Sequence, residues 1–219
     1  MLWDWGYTWE ILPVLAGAAI VTIEATLVGF VIAALLGLAF AILRMSPSAW
    51  VRLPVGGLVE FIRSTPLLIQ IFFLFFVFPK FGVTLSAFTA GFLALGLHYS
   101  TYCSEVYRAG LENIPKGQWE ASIALNLSPW VTFRDIIIPQ AIPPVVPALG
   151  NYLVALFKET PLLSAIAVLE LMQTAKILGS ENFRYTEPMT LVGIFFLLLS
   201  LISAAGIRQV ERWLKNRRG

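Results

Sequence analysis

The chain has 219 residues, of which 58% are hydrophobic and only 13% are charged, and its mean hydropathy is +0.80. Globular domains carry about 25% charged residues, so this composition excludes a soluble domain and predicts an integral membrane protein. The net charge of +2 is typical of a cytoplasmic membrane face rather than of a nucleic-acid-binding protein, because it comes mostly from the C-terminal tail. The basic tail residues are Arg208, Arg212, Lys215, Arg217 and Arg218.

The first predicted span covers residues 13–43, and nothing before it has the basic stretch and cleavage site of a signal peptide. We therefore expect this span to remain in the mature protein. Small residues recur at every fourth position, which predicts a ridge for close helix packing: Gly29, Ala33, Gly37 and Ala41. Glu24 is expected to face protein, a water-filled cavity or the outer interface, since lipid disfavours an acid.

The second predicted span, residues 55–78, begins with an unusually polar stretch. Pro66 is expected to kink or break its helix, because proline removes a backbone donor and clashes with the preceding turn. Glu60 and Arg63 are three residues apart, so they either form a local ion pair at the headgroup level or belong to a gate.

The third predicted span covers residues 85–107, the fourth 148–172 and the fifth 189–207. His98, the only histidine, is expected to be a hydrogen-bonded packing residue rather than a proton carrier. Because the sequence has one histidine and one cysteine, Cys103, it can form neither a disulfide framework nor a clustered metal site. The fourth span contains Lys158 and Glu159 followed by Pro161, a pattern that predicts a broken helix facing a wet cavity.

A long polar segment, residues 108–147, separates the third and fourth spans, and it predicts two short amphipathic helices. Asn126 is expected to end the first helix in the left-handed conformation. Ser128 and Pro129 are expected to begin the second, which should stop before Pro139. Such a long loop favours docking of a soluble partner, although a helix pair lying on lipid headgroups remains the alternative.

The distribution of basic residues predicts the orientation of the five spans. Cytoplasmic loops carry an excess of lysine and arginine, so the N-terminus is expected outside, with the C-terminus and the segment 108–147 in the cytoplasm. The residues on the predicted cytoplasmic side are Arg44, Arg52, Arg63, Arg108, Lys116, Arg134 and the tail, against Lys80, Lys176 and Arg184 outside.

Several function classes are disfavoured by missing motifs. The sequence has no phosphate-binding loop and no Gly-x-Ser-x-Gly or His-Glu-x-x-His motif, which argues against an ATPase and against an intramembrane enzyme. Five unequal spans do not divide into the matching halves of a secondary transporter. A channel remains possible on this pattern, but it would not explain the docking loop.

The segment 117–122, together with Asn126 and residues 136–141, resembles the EAA loop of bacterial ABC-importer permeases. That family usually has glycine where this chain has Asn126. The resemblance implies a MetI-like permease fold in the bacterial inner membrane, with a loop that enters a cleft of an ATPase subunit. The residues it assigns to ATPase coupling are Gly117, Gln118, Trp119, Glu120, Ala121 and Asn126.

The same resemblance implies the partners of the chain. It predicts ABC ATPase subunits that bind ATP and magnesium, a related second permease or a second copy of this chain, and an extracellular solute-binding protein. It implies surrounding lipid but no nucleic acid, and neither a cofactor nor a metal in this chain.

Further motifs, at residues 61–70, 105–110, 139–141 and 158–160, resemble the polar amino-acid uptake permeases. Residues 99–102, 124–128 and 158–164 resemble the ectoine and hydroxyectoine permeases more than the glutamine or histidine permeases. Ectoine or hydroxyectoine is therefore the first expected solute, and a polar amino acid such as glutamine, histidine or arginine is the alternative.

The expected solute path follows from the polar residues of the spans. Lys158 is expected to meet a solute carboxylate and Glu159 its cationic group, with tyrosine rings facing the cation. Alternatively, Lys158 pairs with Glu24 or Glu105 and only holds the spans together. The residues predicted along the path are Arg63, Gln70, Tyr99, Tyr102, Lys158, Glu159 and Thr160.

Overall fold

A computed structural model of the chain describes residues 3–216, and every regular element in that range is helical, as predicted. The tail residues Arg217 and Arg218 lie outside the described residues, as do the first two residues of the chain. The helices are α1 (Trp5–Arg44), α2 (Ala49–Ser64), α3 (Leu67–Phe72), α4 (Ala87–Glu112), α5 (Lys116–Ala124), α6 (Pro129–Val131), α7 (Ile138–Glu159), α8 (Leu171–Glu181) and α9 (Thr186–Asn216).

Helix α1 packs along α4 through the predicted ridge of small residues. Asp4 caps the start of α1 by accepting a hydrogen bond from the Tyr7 N–H at 3.1 Å, so the helix begins before the predicted span. All four ridge residues are buried. A Cβ built on Gly37 would lie 2.6 Å from the Cys103 Cβ and 2.8 Å from the Ser100 carbonyl oxygen. The predicted packing role of the ridge is therefore confirmed.

Gly37→Val is expected to destabilise the protein markedly, because its side chain would force α1 and α4 apart. Overpacking a core commonly costs about 1–3 kcal/mol, and here one of the obstacles is backbone. Gly17→Val is the matched control on the same helix, since no atom lies within 4 Å of a Cβ built there. Thermal unfolding in detergent should show a lower midpoint for Gly37→Val alone. Equal midpoints for both variants would contradict the close packing.

The second predicted span is broken at Pro66, as expected. Thr65 is extended, with φ −92° and ψ 137°, because the residue before a proline avoids the helical region. Helices α2 and α3 are consequently bent by 102° relative to each other. The Gln70 side chain stabilises the break, since its amide donates to the carbonyl oxygens of Ile62 at 2.7 Å and Thr65 at 3.1 Å. After α3, a π-helical turn (Phe73–Val77) and a 3₁₀ turn (Phe78–Phe81) complete the segment.

The prediction that the second loop helix stops before Pro139 is wrong. Helix α6 continues through a π-helical turn (Thr132–Ile137) into α7, which runs to Glu159. The wider turn accommodates Pro139, which has no N–H to donate and would clash with the carbonyl group four residues earlier in a regular α-helix. The last part of the predicted loop 108–147 therefore belongs to a membrane helix.

The fourth predicted span, 148–172, is not one continuous helix. Helix α7 ends at Glu159, and a 3₁₀ segment (Thr160–Ile166) with Pro161 in its first turn follows. Ala167 then adopts a left-handed conformation with φ 59° before α8 begins. The break that Pro161 predicted is thus present, and it lies beside Glu159.

Within residues 3–216, four segments are long and apolar enough to cross a membrane, if the bent pair of helices counts as one span. They are Trp5–Arg44, Pro129–Ile166, Thr186–Leu214 and the pair Ala49–Ser64 with Leu67–Phe81. Helix α4, at 26 residues, is long enough to cross a membrane but is more polar than these four segments. Many of its small and hydroxyl-bearing residues are buried. The count of five spans stays a prediction that depends on α4 crossing the bilayer.

The predicted orientation can be tested by single-cysteine labelling after Cys103 is replaced by alanine. Ser180 on α8 and Ala124 on α5 are both exposed within this chain, so either position is open to a reagent unless a partner covers it. An impermeant thiol reagent added to whole cells should label Ser180→Cys and spare Ala124→Cys, which should react only after the membrane is opened. The reverse pattern would refute the orientation.

Candidate functional site

A polar cavity of about 450 Å³ lies where the two broken helices meet the middle of α4. The break after α2 contributes one wall, α4 a second, and the end of α7 a third. Irregular backbone at membrane depth is tolerated only where it is buried in protein or lines a water-filled space. The cavity is lined by Arg63, Ser64, Thr65, Pro66, Leu67, Leu68, His98, Tyr99, Tyr102, Glu159 and Leu162.

Two opposite charges face this cavity. Arg63 is held by a salt bridge to Glu60 at 2.6 Å, and its second terminal nitrogen lies 3.8 Å from Glu105. The predicted local pair of Glu60 and Arg63 is therefore confirmed, although Arg63 also reaches the cavity. Glu159, half-buried at the end of α7, has no salt bridge to any residue in the range 3–216. An unpaired carboxylate beside a guanidinium suits a solute that carries both charges.

Aromatic rings on α4 form a further part of the cavity wall. The Tyr99 and Tyr102 ring centroids lie 5.9 Å apart, and Tyr152 on α7 packs behind them at 6.2 Å and 5.6 Å respectively. Tyrosine faces attract a cation within about 6 Å of the ring centroid. Sequence reasoning did not find Tyr152, because only the packing of α7 against α4 brings it to the cluster.

Three predicted path residues lie away from this cavity. Gln70 bridges the break at Pro66, and the buried Thr160 hydroxyl donates to the Phe157 carbonyl oxygen at 2.7 Å. Lys158 is exposed and lies on another face of α7 than its neighbour Glu159, because successive helical residues are about 100° apart. The structure therefore brings together Arg63, Tyr99, Tyr102 and Glu159 of the predicted set.

Of the two predicted solute contacts Lys158 and Glu159, only Glu159 lines this cavity, and the solute contact of Lys158 stays a prediction. The alternative pairing is absent, since Lys158 forms no ion pair with Glu24 or Glu105. Glu105 is occupied by other partners: Arg44 at 2.7 Å and Arg108 at 2.9 Å.

The Glu105 carboxylate is the centre of an ion network that the sequence did not predict. Its arginine partners come from α1, α2 and α4, and Arg108 also pairs with Glu112 at 2.5 Å. Arg44 and Glu105 are 61 positions apart in the chain, so spacing along the sequence gives no signal for this contact between helices. It ties three helices together just before the loop that follows α4.

Helix α5 ends as predicted at Asn126, which has a left-handed φ of 51°. The Asn126 N–H donates to the Ile123 carbonyl oxygen at 2.9 Å, and the Leu127 N–H donates to the Ser122 carbonyl oxygen at 3.0 Å. These two bonds are the Schellman pattern of a helix end. Ser128 then caps α6 by accepting from the Val131 N–H at 3.4 Å.

The packing of α5 differs from the predicted amphipathic pattern. Ser122 is buried, because its hydroxyl donates to the Gln118 carbonyl oxygen at 2.7 Å and so needs no water. Trp119 packs edge-on against Phe133, with ring centroids 5.1 Å apart. Ile123 and Leu125 are instead 77% and 71% exposed. Neither of these two apolar side chains is covered by the rest of the described chain.

The chain resembles known proteins over nearly its whole length. Residues 29–216 match the family model described as "Binding-protein-dependent transport system inner membrane component". A probable amino-acid ABC transporter permease protein, y4tG of Sinorhizobium fredii, is 44% identical over 94% of each chain. The L-cystine transport system permease protein TcyB of Bacillus subtilis is 36% identical, over 92% of this chain and 88% of the relative.

A solved structure, described as the crystal structure of an amino acid ABC transporter with histidines, superposes with a TM-score of 0.91. It is 32% identical in sequence and covers 97% of this chain and 99% of its own. The overall fold is therefore shared with that chain.

Proposed function

This chain belongs to the family of binding-protein-dependent transport system inner membrane components, and we propose that it imports a polar amino acid or a related zwitterion. As a multi-pass permease of this family, it is a transport component of the inner membrane rather than an enzyme. The energy for import comes from ATP hydrolysed, with magnesium, by partner ATPase subunits.

The observation that carries the solute proposal is the meeting of Arg63 and Glu159 at one cavity. A guanidinium binds a carboxylate through two parallel hydrogen bonds, and a carboxylate binds an ammonium or another cationic group. The rings of Tyr99 and Tyr102 add favourable contact for that cation. Arg63 thus takes the role that the sequence had suggested for Lys158.

The coupling proposal rests on the exposed apolar surface of α5 and α6. Ile123, Leu125 and Trp130 are each more than 70% exposed, which is costly unless a partner covers them. The neighbouring segment Gly117 to Ala121, with the helix stop at Asn126, carries the family resemblance to a coupling loop. We propose that this surface enters the cleft of an ATPase subunit.

The other partners follow from the same family. A solute-binding protein outside the membrane delivers the solute, and a second permease, either a related subunit or another copy of this chain, completes the path. Lys158 supports a second subunit, because an exposed lysine inside an apolar span is costly against lipid.

Two solute classes fit a carboxylate-and-cation site. Relatives named for amino acids and for L-cystine favour an amino acid. The short sequence matches at residues 99–102, 124–128 and 158–164 support ectoine or hydroxyectoine as the second candidate. Both classes are zwitterionic, so the cavity charges alone do not separate them.

Competition experiments with the assembled importer separate the two classes. Uptake of labelled glutamine into proteoliposomes would be measured with excess unlabelled histidine, arginine, cystine, ectoine or hydroxyectoine outside. We expect amino acids to compete more strongly than ectoine. Strong competition by ectoine alone would assign the second class, and competition only by uncharged sugars would overturn the zwitterion proposal.

A further inference from the structure

His98 lines the cavity from α4. The sequence predicted a hydrogen-bonded packing residue. In the structure its Nδ1 is buried without any hydrogen-bond partner among residues 3–216. Buried polar atoms in native proteins are nearly always paired, so an unpaired one calls for a specific explanation.

The imidazole of His98 is held in place by its aromatic neighbours. Its ring centroid lies 5.7 Å from that of Tyr99 and 5.4 Å from that of Tyr102. Both tyrosines line the same cavity, with Arg63 and Glu159 on the other walls. Ring packing therefore fixes the position of the imidazole without using its nitrogen atoms.

The missing partner leaves the tautomer of His98 open. Which ring nitrogen carries the proton is normally set by the hydrogen bond that the other nitrogen makes. Because Nδ1 is enclosed and has no protein partner, it does not fix the proton on the other ring nitrogen, Nε2, which is not enclosed. Nε2 can therefore offer either a donor or an acceptor to a bound molecule. Such a side chain can form a hydrogen bond with an amide, a hydroxyl or an imidazole group of a bound solute.

We propose that His98 is a specificity-determining residue that hydrogen-bonds a third polar group of the solute, beyond its carboxylate and its cation. This inference rests on the proposed zwitterion site. It narrows the substrate class to zwitterions that carry a further hydrogen-bonding group. Sites built to pair such a group reject analogues that lack it, because the protein group is then left unpaired.

Matched solute pairs test this preference. Glutamine and methionine are similar in size, but only glutamine carries a side-chain amide, and hydroxyectoine differs from ectoine by one hydroxyl. The purified complete complex, without the solute-binding protein, would be heated with increasing concentrations of each solute. The measured quantity is the concentration that gives half of the maximal thermal shift.

The wild-type complex should bind the more polar member of the pair about tenfold more tightly, as one hydrogen bond allows. His98→Phe keeps a ring of similar shape and should lose this preference while binding the less polar member as before. His98→Asn keeps a donor and an acceptor, so it should retain part of the preference. Cys103→Ala, on the same helix but packed towards Gly37, is the control and should behave as wild type.

The possible failures are distinguishable. The deciding quantity is the ratio of the half-maximal concentrations of the two members of a pair. If the wild type binds both members and His98→Phe keeps the same ratio, His98 is only a packing residue and the inference is overturned. If His98→Phe does not fold, an unchanged ratio in His98→Gln overturns it in the same way. If no zwitterion shifts the wild-type complex, the proposed function itself fails.

Discussion

Glu120→Lys should lower solute-stimulated ATP hydrolysis at least roughly tenfold while the subunit still inserts and folds. Glu120 lies on the exposed side of α5 and makes no hydrogen bond or ion pair within the described chain. The substitution therefore breaks no contact inside the subunit, and its effect would come from a wrong-sign charge against a partner. Copurification with the ATPase subunit and ATPase assays of the reconstituted complex would measure it.

Two variants serve as controls for this result. Glu120→Gln removes the charge without reversing it and should have a smaller effect. Asn126→Gly keeps the helix stop, because glycine adopts the left-handed conformation freely, and it should be tolerated. Normal ATP hydrolysis and uptake by Glu120→Lys would leave the loop as a membrane-surface element only.

Glu159→Gln should weaken solute binding roughly tenfold to a hundredfold, since hydrogen bonds to charged groups contribute about 1.5–3 kcal/mol. Glu159 has no salt bridge within the described residues, so its neutral amide analogue should leave folding and assembly unchanged. The uptake defect should be recovered at high solute concentration, which transport rates over a range of concentrations would reveal.

Arg63→Gln should weaken binding through loss of the carboxylate contact, and it should also disturb assembly, because Arg63 pairs with Glu60. Lys158→Met is the matched control, since Lys158 lies outside the cavity. Its solute affinity should be normal, whereas its assembly with a second permease should suffer. Normal affinity in both Glu159→Gln and Arg63→Gln would remove this cavity from the transport path.

Local chemistry predicted the features that depend on a few neighbouring residues. The helix stop at Asn126, the cap at Ser128 and the break at Pro66 each follow from the conformational preferences of one or two residue types. The buried ridge that contains Gly37 follows from a simple period.

Features that depend on distant packing were missed. Pro139 predicted a helix end, but a π-helical turn before it lets the helix continue. The segment was predicted to form amphipathic helices, yet the polar residue Ser122 is buried and its hydroxyl donates to the backbone.

Only part of the candidate site was predicted from the sequence, because the site also depends on packing between distant residues. Arg63, Tyr99 and Glu159 stood out as polar residues inside apolar spans, and the structure brings them to one cavity. Of the two neighbours Lys158 and Glu159, only Glu159 lines that cavity, and the sequence did not reveal which of them would. The position of His98 also depends on packing that spacing does not encode.

ATP-dependent uptake tests the central claim most directly. Proteoliposomes would hold the permease complex with ATP and magnesium inside, and labelled solute with its binding protein outside. We predict uptake only when ATP, the ATPase subunit and the binding protein are all present, and its loss in Glu120→Lys. Passage of solute or ions through the purified chain alone, without ATP, would contradict the account and identify a channel.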